Sequence, residues 1–177
     1  MSTPIPAGTA RTDEGFDAAF SELLPRLYRR SSQLTGGSTQ AAEDAVHDTY
    51  LKLSARPRAF LDHPEPYAYA FRALLSVIRD RGRRERRLVP TAEVDPSGAA
   101  GWDGGVERRA AELDVLELLT ELTPRQAGSV ILVDLDGHTL DQAARILGVH
   151  RGTVARSRSR ALDRLRNRIQ ERARREG

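Results

Sequence analysis

Apolar side chains recur along this chain with the period of amphipathic helices, and no stretch alternates as a half-buried strand would. Near the N-terminus they follow one another at helical spacing: Phe16, Ala19, Phe20, Leu23, Leu24, Leu27 and Tyr28. This pattern predicts a first helix, which Pro25 is expected to kink or divide and which "TGGS" at 35–38 should end.

Two more helices are predicted in the first half of the chain. One runs over 39–54 and is closed by Pro57. The segment 60–66, "FLDHPEP", contains two prolines and is interpreted as a loop. The next helix starts at Tyr67 and continues into the arginine-rich stretch "RDRGRRERR" at 79–87.

The character of the sequence changes after Leu88. Residues 89–105 are rich in Gly, Pro, Ala and Asp without periodicity, which indicates a flexible linker. Beyond it lies an apolar stripe: Leu113, Leu116, Leu119 and Leu122. "TPRQ" at 123–126 and "TLDQ" at 139–142 have the spacing of capping boxes that begin helices, and Gly148 should end the second of these helices.

These elements predict an all-α protein of two small helical domains joined by a flexible linker. The expected organisation is a disordered N-terminus (1–12), a helical bundle (13–88), a linker (89–108), a helix-turn-helix domain (109–170) and a basic tail (171–177).

Composition narrows the classes of protein to consider. The 177 residues contain no cysteine, which removes disulfides, thiolate metal sites and cysteine nucleophiles. No apolar run is long enough to span a membrane, and the first residues do not resemble a secretory signal. A cytoplasmic protein is therefore expected.

Positive charge is concentrated in two places, although the net charge is only +3. Between Arg145 and Arg175 there are 11 arginines against two acidic residues, and 79–87 forms a second basic block. Because Lys52 is the sole lysine, codon usage in a GC-rich genome explains the choice of arginine but not its clustering. The clustering favours a polyanionic partner contacted at two sites.

The segment "HRGTVARSRSRALDRLR" at 150–166 predicts a helix with two different sides. Its apolar side carries Val154, Ala161, Leu162 and Leu165, and its opposite side carries Thr153, Arg156, Arg160 and Arg164. With the short capped helix before it, this pattern predicts a helix-turn-helix that reads the major groove of DNA. The alternative is a solvated face on an ordinary helical hairpin. Arg158 falls within the apolar stripe and needs a partner or a path to solvent.

The helix from Tyr67 shows a similar division. One side is apolar, and the other carries Tyr69, Arg72, Ser76, Arg79 and Arg83. Aromatic rings beside arginines are typical of surfaces that bind single-stranded DNA. A tyrosine at the edge of the core, next to solvated arginines, explains this helix alone equally well.

The helix over 39–54 is predicted to bury Ala42, Ala45, Val46, Thr49 and Leu53. Its outer side carries what we call the acidic patch, made of Asp44, His47, Asp48 and Leu51. An exposed leucine among acids favours a protein-docking surface. A metal site is the alternative, but no further residue completes a ligand set, and His63 lies in a loop of undefined geometry. No arrangement of catalytic residues stands out.

Three segments in order resemble the extracytoplasmic-function (ECF) class of bacterial RNA polymerase sigma factors. "AEDAVHDTYLKL" is similar to the second conserved region, "PYAYAFRALLSVIRDRGRR" to the promoter-melting helix, and "LTPRQAGSVILVDLDGHTLDQAARILGVHRGTVARSRSRALDRL" to the final helix-turn-helix domain. The resemblance extends from Phe16 to about Ile169.

The resemblance implies a transcription initiation factor with no catalytic chemistry and no cofactor. Its first domain would dock on the β′ clamp helices of core RNA polymerase and hold the non-template strand of the minus-ten element. Its second domain would read the minus-thirty-five element as duplex and contact the β flap. Many members are held inactive by an anti-sigma factor, which no residue here identifies.

The resemblance also implies roles for individual residues. The acidic patch falls on the clamp contact, and the loop 60–66 falls on the pocket for an extruded base. The proposed minus-ten residues are Tyr69, Phe71, Arg72, Ser76, Arg79 and Arg83. The proposed minus-thirty-five residues are Arg151, Thr153, Arg156 and Arg160.

The chain departs from the family pattern at three places. The family usually has Gln in place of His47, Arg-Asn in place of Leu75-Ser76, and an apolar residue in place of Arg158. The second departure concerns which minus-ten sequence is read. Trp102 in the linker is hypothesised to lie in a channel of the polymerase.

Two rival functions remain at the level of sequence. A free-standing helix-turn-helix regulator would bind duplex operators without polymerase. A metal nuclease would be built around His47, Asp48 and His63 and would cleave DNA in a metal-dependent reaction.

Overall fold

The computed structural model describes residues 7–88 and 115–176, and the side-chain surroundings of residues 14–84 and 115–175. Every regular element within these ranges is helical. The N-terminal domain contains α1 (Ala7–Leu34), α2 (Thr39–Ser54), α3 (Pro57–Leu61) and α4 (Pro66–Leu88). The C-terminal domain contains α5 (115–120), α6 (Pro124–Val130) with a π-helical turn (Ile131–Leu135), α7 (Leu140–Leu147) and α8 (Arg151–Glu176). The predicted all-α class is confirmed, and the predicted linker at 89–108, with Trp102, lies outside the described residues.

Aromatic rings fill the core of the N-terminal domain. Phe16 packs against Phe20 and Phe60, with ring centroids 5.8 Å and 5.3 Å away. These three side chains and those of Phe71 and Leu74 are buried. Burying one such side chain contributes roughly 1.5–3 kcal/mol, so this cluster fixes α1, α3 and α4 relative to one another.

Helix α2 has the predicted bounds, and all five side chains predicted to be buried are buried. Its start is set locally, because the Ser38 hydroxyl accepts a hydrogen bond from the Ala41 backbone N–H. The register of the helix then decides which residues face outward. The acidic patch is on the side away from the core.

The N-terminal domain departs from the local predictions at three places. Helix α1 begins at Ala7, so 7–12 is helical, whereas residues 1–6 lie outside the described residues. Extending an existing helix adds a hydrogen bond per residue without a new nucleation cost. Of the two effects predicted for Pro25, a kink or a division, the division does not occur: Pro25 lies inside α1, which packs on both sides of the proline through buried Phe20 and Leu27. The predicted loop 60–66 includes the end of α3, since buried Phe60 holds that turn on the core.

The C-terminal domain contains the predicted helix-turn-helix, formed by α7 and α8. Both predicted capping boxes are present, at Thr123 and Thr139. Gly148 adopts a left-handed conformation with φ 65° and ends α7. The His150 Nδ1 accepts a hydrogen bond from the Gly152 backbone N–H at 3.1 Å, which caps the start of α8. The turn between the two helices is therefore fixed by local sequence.

Arg158, the arginine within the apolar stripe of α8, has a partner in the preceding π-helical turn. Its guanidinium donates two hydrogen bonds to Asp134, at 2.8 Å and 2.5 Å. These hydrogen bonds raise the pKa of Arg158, against a smaller opposing effect of burial. The stripe itself is packed as predicted, with Val154 and Ala161 fully buried. The predicted basic tail at 171–177 is, as far as Glu176, the last part of α8.

The two domains lie against each other in this structure. Arg30 of α1 forms an ion pair with Asp136, which follows the π-helical turn. Leu75 of α4 packs over Gly128 of α6, so α4 is in contact with the helix-turn-helix domain. Within the described ranges, no helix is both long enough and apolar enough to cross a membrane.

Candidate functional site

The outer side of α8 carries what we call the recognition face: Arg151, Thr153, Arg156 and Arg160. Arg151, Arg156 and Arg160 are exposed, and Thr153 is half-buried. Arg151 forms a 3.5 Å ion pair with Asp141, but both side chains remain largely exposed. The buried stripe of α8 fixes the helix so that these arginines point away from the domain core. Their guanidinium groups are available to base edges and phosphates.

Side chains near the start of α4 form a second candidate surface. The Arg72 guanidinium lies 5.7 Å from the centre of the Tyr69 ring, within cation–π range. The His63 ring lies 5.1 Å from the same ring, and its Nε2 is 3.0 Å from Arg72 Nη2. His63 also accepts a hydrogen bond from the Glu65 backbone N–H through Nδ1, at 3.0 Å. A neutral imidazole has one acceptor nitrogen. His63 Nε2 can therefore accept a hydrogen bond from Arg72 only in the tautomer in which Nδ1 is protonated and no longer accepts one from the Glu65 N–H.

Further along α4, polar side chains form a hydrogen-bonded chain. The Ser76 hydroxyl accepts hydrogen bonds from Lys52 Nζ at 3.0 Å and from Arg79 Nη2 at 3.3 Å, and it donates to Asp80 at 3.3 Å. Arg83 is exposed. We call the side formed by Tyr69, Arg72, Ser76, Arg79 and Arg83 the minus-ten face, after the role that the family resemblance implies for it.

Phe71 does not belong to this face. It is fully buried, and its ring is stacked on Tyr67 with centroids 5.9 Å apart. Tyr69 and Phe71 are two positions apart, which places them about 200° apart on a helix. They cannot therefore both contact one strand of DNA, and the prediction that Phe71 contacts the minus-ten element was wrong. Phe60, in the predicted base pocket, is likewise buried in the core.

The acidic patch on α2 is outward-facing and is tethered by a residue that the sequence did not single out. Arg81 of α4 forms ion pairs with Asp48 at 2.8 Å and Asp44 at 3.3 Å. Burial alone would lower the pKa of Arg81, but the hydrogen bonds to both carboxylates outweigh it, and the net pKa is raised. The two aspartates keep 45% and 39% of their side-chain area exposed, and Leu51 is 51% exposed. The patch is thus accessible, and it is less negative than its two acids imply.

No group of three or more His, Asp or Glu side chains in the described ranges is arranged to hold a metal ion. His63, one member of the hypothesised nuclease site, lies beside Arg72 and Tyr69, and its Nδ1 accepts a hydrogen bond from the Glu65 backbone N–H. The geometry around it is therefore defined, contrary to its interpretation as an unstructured loop residue.

Sequence patterns missed the contacts by which three residues organise these surfaces: Arg81, His63 and His150, of which His63 was considered only as a metal ligand. Arg81 was hidden within a block of similar arginines, and only the crossing of α2 and α4 singles it out. His63 is close to Arg72 because of how α3 turns into α4. For His150 a local signal existed, since it occupies the position before the first residue of α8, where a side-chain acceptor caps a helix.

Comparison with known proteins accounts for both domains. A family model of sigma-70 region 2 matches residues 19–88, and one of sigma-70 region 4 matches residues 112–165. The ECF RNA polymerase sigma factor SigM of Mycobacterium tuberculosis is 31% identical over 151 residues, covering 83% of this chain and 75% of SigM. The RNA polymerase sigma-E factor of Streptomyces avermitilis is 28% identical over 133 residues, covering 74% of this chain and 72% of that protein.

Two solved structures share this arrangement of helices. The sigma factor RpoE of Bartonella quintana, crystallised with the anti-sigma factor NepR, matches with a TM-score of 0.65 at 25% identity, covering 89% of this chain and 98% of that chain. CnrH, solved with the cytosolic domain of CnrY, matches in fold with a TM-score of 0.58 at 24% identity, covering 92% and 95%. With both sigma-70 regions present in order and SigM related along most of its length, this chain belongs to the ECF class of RNA polymerase sigma factors.

Proposed function

We propose that this sigma factor directs core RNA polymerase to promoters through three surfaces. The acidic patch binds the β′ clamp helices, the minus-ten face holds the melted non-template strand, and the recognition face reads the minus-thirty-five duplex while its domain contacts the β flap. The observation that carries the proposal is the outward position of the charged residues that the family resemblance assigns to these contacts. Phe71 is excluded from the assignment because it is buried.

Opposite charge patterns on the recognition face and on the acidic patch support this division of roles. The recognition face presents exposed arginines, which suits phosphate and guanine contacts on duplex DNA. The acidic patch surrounds an exposed leucine with carboxylates, which suits a protein partner with an apolar contact and basic residues. Membership of the sigma-factor family supports a regulatory, non-enzymatic role for this chain. Bacterial RNA polymerase works in the cytoplasm, and we propose that this chain does too.

The experiment that separates this function from a free-standing regulator is reconstitution with core RNA polymerase. The purified chain is expected to bind promoter duplexes weakly or not at all, and to direct specific initiation once core enzyme is added. Sequencing the transcript start sites would define its promoters. Tight, specific duplex binding that is unchanged by core enzyme would support the free-standing regulator instead. Metal-dependent DNA cleavage that is lost with His47 or Asp48 would support the nuclease.

Tyr69→Ala tests the minus-ten face. Loss of one base-stacking contact is expected to weaken holoenzyme binding to single-stranded non-template DNA by about 1–3 kcal/mol. The matched control is Tyr28→Ala, which removes an exposed tyrosine from α1. Binding can be measured by fluorescence anisotropy with a labelled oligonucleotide. Equal affinities of the two variants and the unchanged protein would remove Tyr69 from the DNA contact.

A protein regulator of the anti-sigma type is a further proposed partner. Support comes from two relatives in fold, RpoE and CnrH, whose structures were solved with NepR and with the cytosolic domain of CnrY. Co-purification of tagged chain from its own cells, followed by mass spectrometry, tests whether such a partner is bound when the chain is not on polymerase.

A further inference from the structure

Arg81 lies on the side of α4 that packs against α2. It follows the buried Leu74 and Val77 at helical spacing, so it shares their side of the helix. Only 29% of its side-chain area is exposed. Its neighbours Arg79 and Arg83 are exposed on the minus-ten face. The fold therefore directs Arg81 toward another helix of the same domain, and away from the surface proposed to bind DNA.

Arg81 holds each aspartate of the acidic patch by one oxygen. Its Nη1 donates a hydrogen bond to Asp44 Oδ2 at 3.3 Å, and its Nε donates one to Asp48 Oδ2 at 2.9 Å. Arg81 Nη2 lies 2.8 Å from the same Asp48 oxygen. One guanidinium thus bridges two carboxylates that are four positions apart on α2. Like charges at this spacing destabilise a helix, and the shared cation offsets their repulsion.

The remaining oxygens of the two aspartates differ. Gln40 Nε2 donates a hydrogen bond to Asp44 Oδ1 at 3.1 Å, so both oxygens of Asp44 accept hydrogen bonds within the chain. No described residue donates a hydrogen bond to Asp48 Oδ1, and this oxygen is not buried. Leu51, which is 51% exposed, follows Asp48 by three positions on the outer side of α2. Asp48 Oδ1 is thus an unused acceptor beside the exposed leucine of the patch.

A second polar contact fixes the same side of α2 against α4. Lys52, one helical turn after Asp48, donates a hydrogen bond from Nζ to Ser76 Oγ at 3.0 Å. Ser76 and Arg81 therefore hold α2 at two points along α4. The direction of the Asp48 carboxylate follows from this packing and from its bonds to Arg81. A free carboxylate would have to be ordered when a partner binds, which costs conformational entropy.

We propose that Arg81 is a positioning residue for the polymerase contact. It holds Asp48 by Oδ2, so that Oδ1 accepts a hydrogen bond from a basic side chain of the clamp helices. The inference rests on the proposed binding of the clamp helices by the acidic patch. It adds which oxygen accepts the hydrogen bond and which residue presents that oxygen. Arg81 acts on binding in two opposite ways, because its charge weakens the attraction of a basic partner and its hydrogen bonds prolong the bound state.

Association and dissociation rates of the full chain with immobilised core RNA polymerase separate these two effects. Arg81→Ala makes the patch more negative, so we expect faster association at low salt and no difference at high salt. Dissociation should be about threefold to thirtyfold faster, because residues in contact are coupled to this extent. Arg81→Lys keeps the charge but lacks the planar fork, so it should restore the association rate and only part of the dissociation rate. Arg84→Ala, which removes an exposed arginine of α4, is the matched control.

A double-mutant cycle tests whether Arg81 acts through Asp48. In the Asp48→Ala background, Arg81→Ala is expected to change the dissociation rate by about twofold at most. Asp44→Ala should speed dissociation less than Asp48→Ala, since both oxygens of Asp44 are already used. Equal effects of Arg81→Ala with and without Asp48 would overturn the inference, as would equal dissociation rates of Arg81→Ala and Arg84→Ala.

The same measurements distinguish failure of this inference from failure of the proposed function. Faster dissociation of Asp48→Ala combined with an unchanged rate for Arg81→Ala would uphold the acidic patch as the polymerase contact and reject the role of Arg81. Rates unchanged in Asp48→Ala would remove the patch itself from that contact. Circular dichroism verifies that each variant is helical, and partial recovery by Arg81→Lys separates positioning of the carboxylate from a general loss of packing between α2 and α4.

Discussion

Asp48→Arg is expected to abolish binding of this sigma factor to core RNA polymerase while leaving its helices folded. The Asp48 side chain is 39% exposed, so the substitution opens no cavity in the core. The substitution replaces the carboxylate that now lies 2.8 Å from the Arg81 guanidinium with a second guanidinium. It also reverses the charge of the surface that is proposed to contact the polymerase. Removing one partner of a hydrogen-bonded charge pair that becomes buried on binding costs about 2–5 kcal/mol, and reversing its charge adds repulsion.

The measurement is a pull-down of core enzyme by tagged variants at matched concentrations, with circular dichroism to verify folding. Glu22→Arg provides the same change of charge at an exposed site on α1 and is expected to bind normally. Arg81→Ala removes the tether but keeps both carboxylates, so it should weaken binding less than Asp48→Arg. Recovery of core enzyme by Asp48→Arg at the level of Glu22→Arg would remove the acidic patch from the polymerase contact.

The second large effect is expected on the recognition face. Arg156→Ala and Arg160→Ala should each weaken holoenzyme binding to a promoter by about 1–3 kcal/mol if the arginine makes a bidentate base contact. Both side chains are exposed on α8, opposite the buried Val154 and Ala161, so their removal leaves the domain core intact.

Salt dependence separates two kinds of contact in this test. Loss of a base contact relaxes the base preference at one promoter position. Loss of a phosphate contact weakens binding to all sequences alike, and it reduces by about one the slope of log binding constant against log salt concentration. Arg166→Ala is the matched control, because this exposed arginine of α8 forms its 2.7 Å ion pair with Asp163. Unchanged promoter preference in both Arg156→Ala and Arg160→Ala would show that α8 faces DNA differently.

The helices whose bounds were predicted well are those whose ends are set by neighbouring residues in the sequence. Ser38 caps α2, Thr139 with Gln142 begins α7, and Gly148 ends it in a left-handed conformation. Each signal acts within four residues, so the local sequence contains all of the relevant interactions. Once these helix bounds are set, the helical repeat decides which side chains face outward, and it places the acidic patch on the outer side of α2 and the recognition face on the outer side of α8.

The errors occurred where packing overrode a local preference. Pro25 costs one hydrogen bond within α1, yet the helix continues because Phe20 and Leu27 are buried on either side. The resemblance implied a DNA contact for Phe71, but its side chain is buried in the core, on the side of α4 away from Tyr69. The two prolines of 60–66 suggested a loop, but burial of Phe60 keeps the preceding turn helical.

By itself, the sequence determined the all-α class, most helix bounds and the side of each helix that faces water, because these depend on spacing and on neighbours within a turn or two. Only the tertiary structure decided that Arg81 holds Asp44 and Asp48, that Leu75 covers Gly128, and that Arg30 meets Asp136, 106 positions away. The physical reason is that these contacts join residues far apart in the sequence. Which distant side chains meet depends on how whole helices pack, and the sequence pattern around each of these residues does not distinguish it from similar residues nearby.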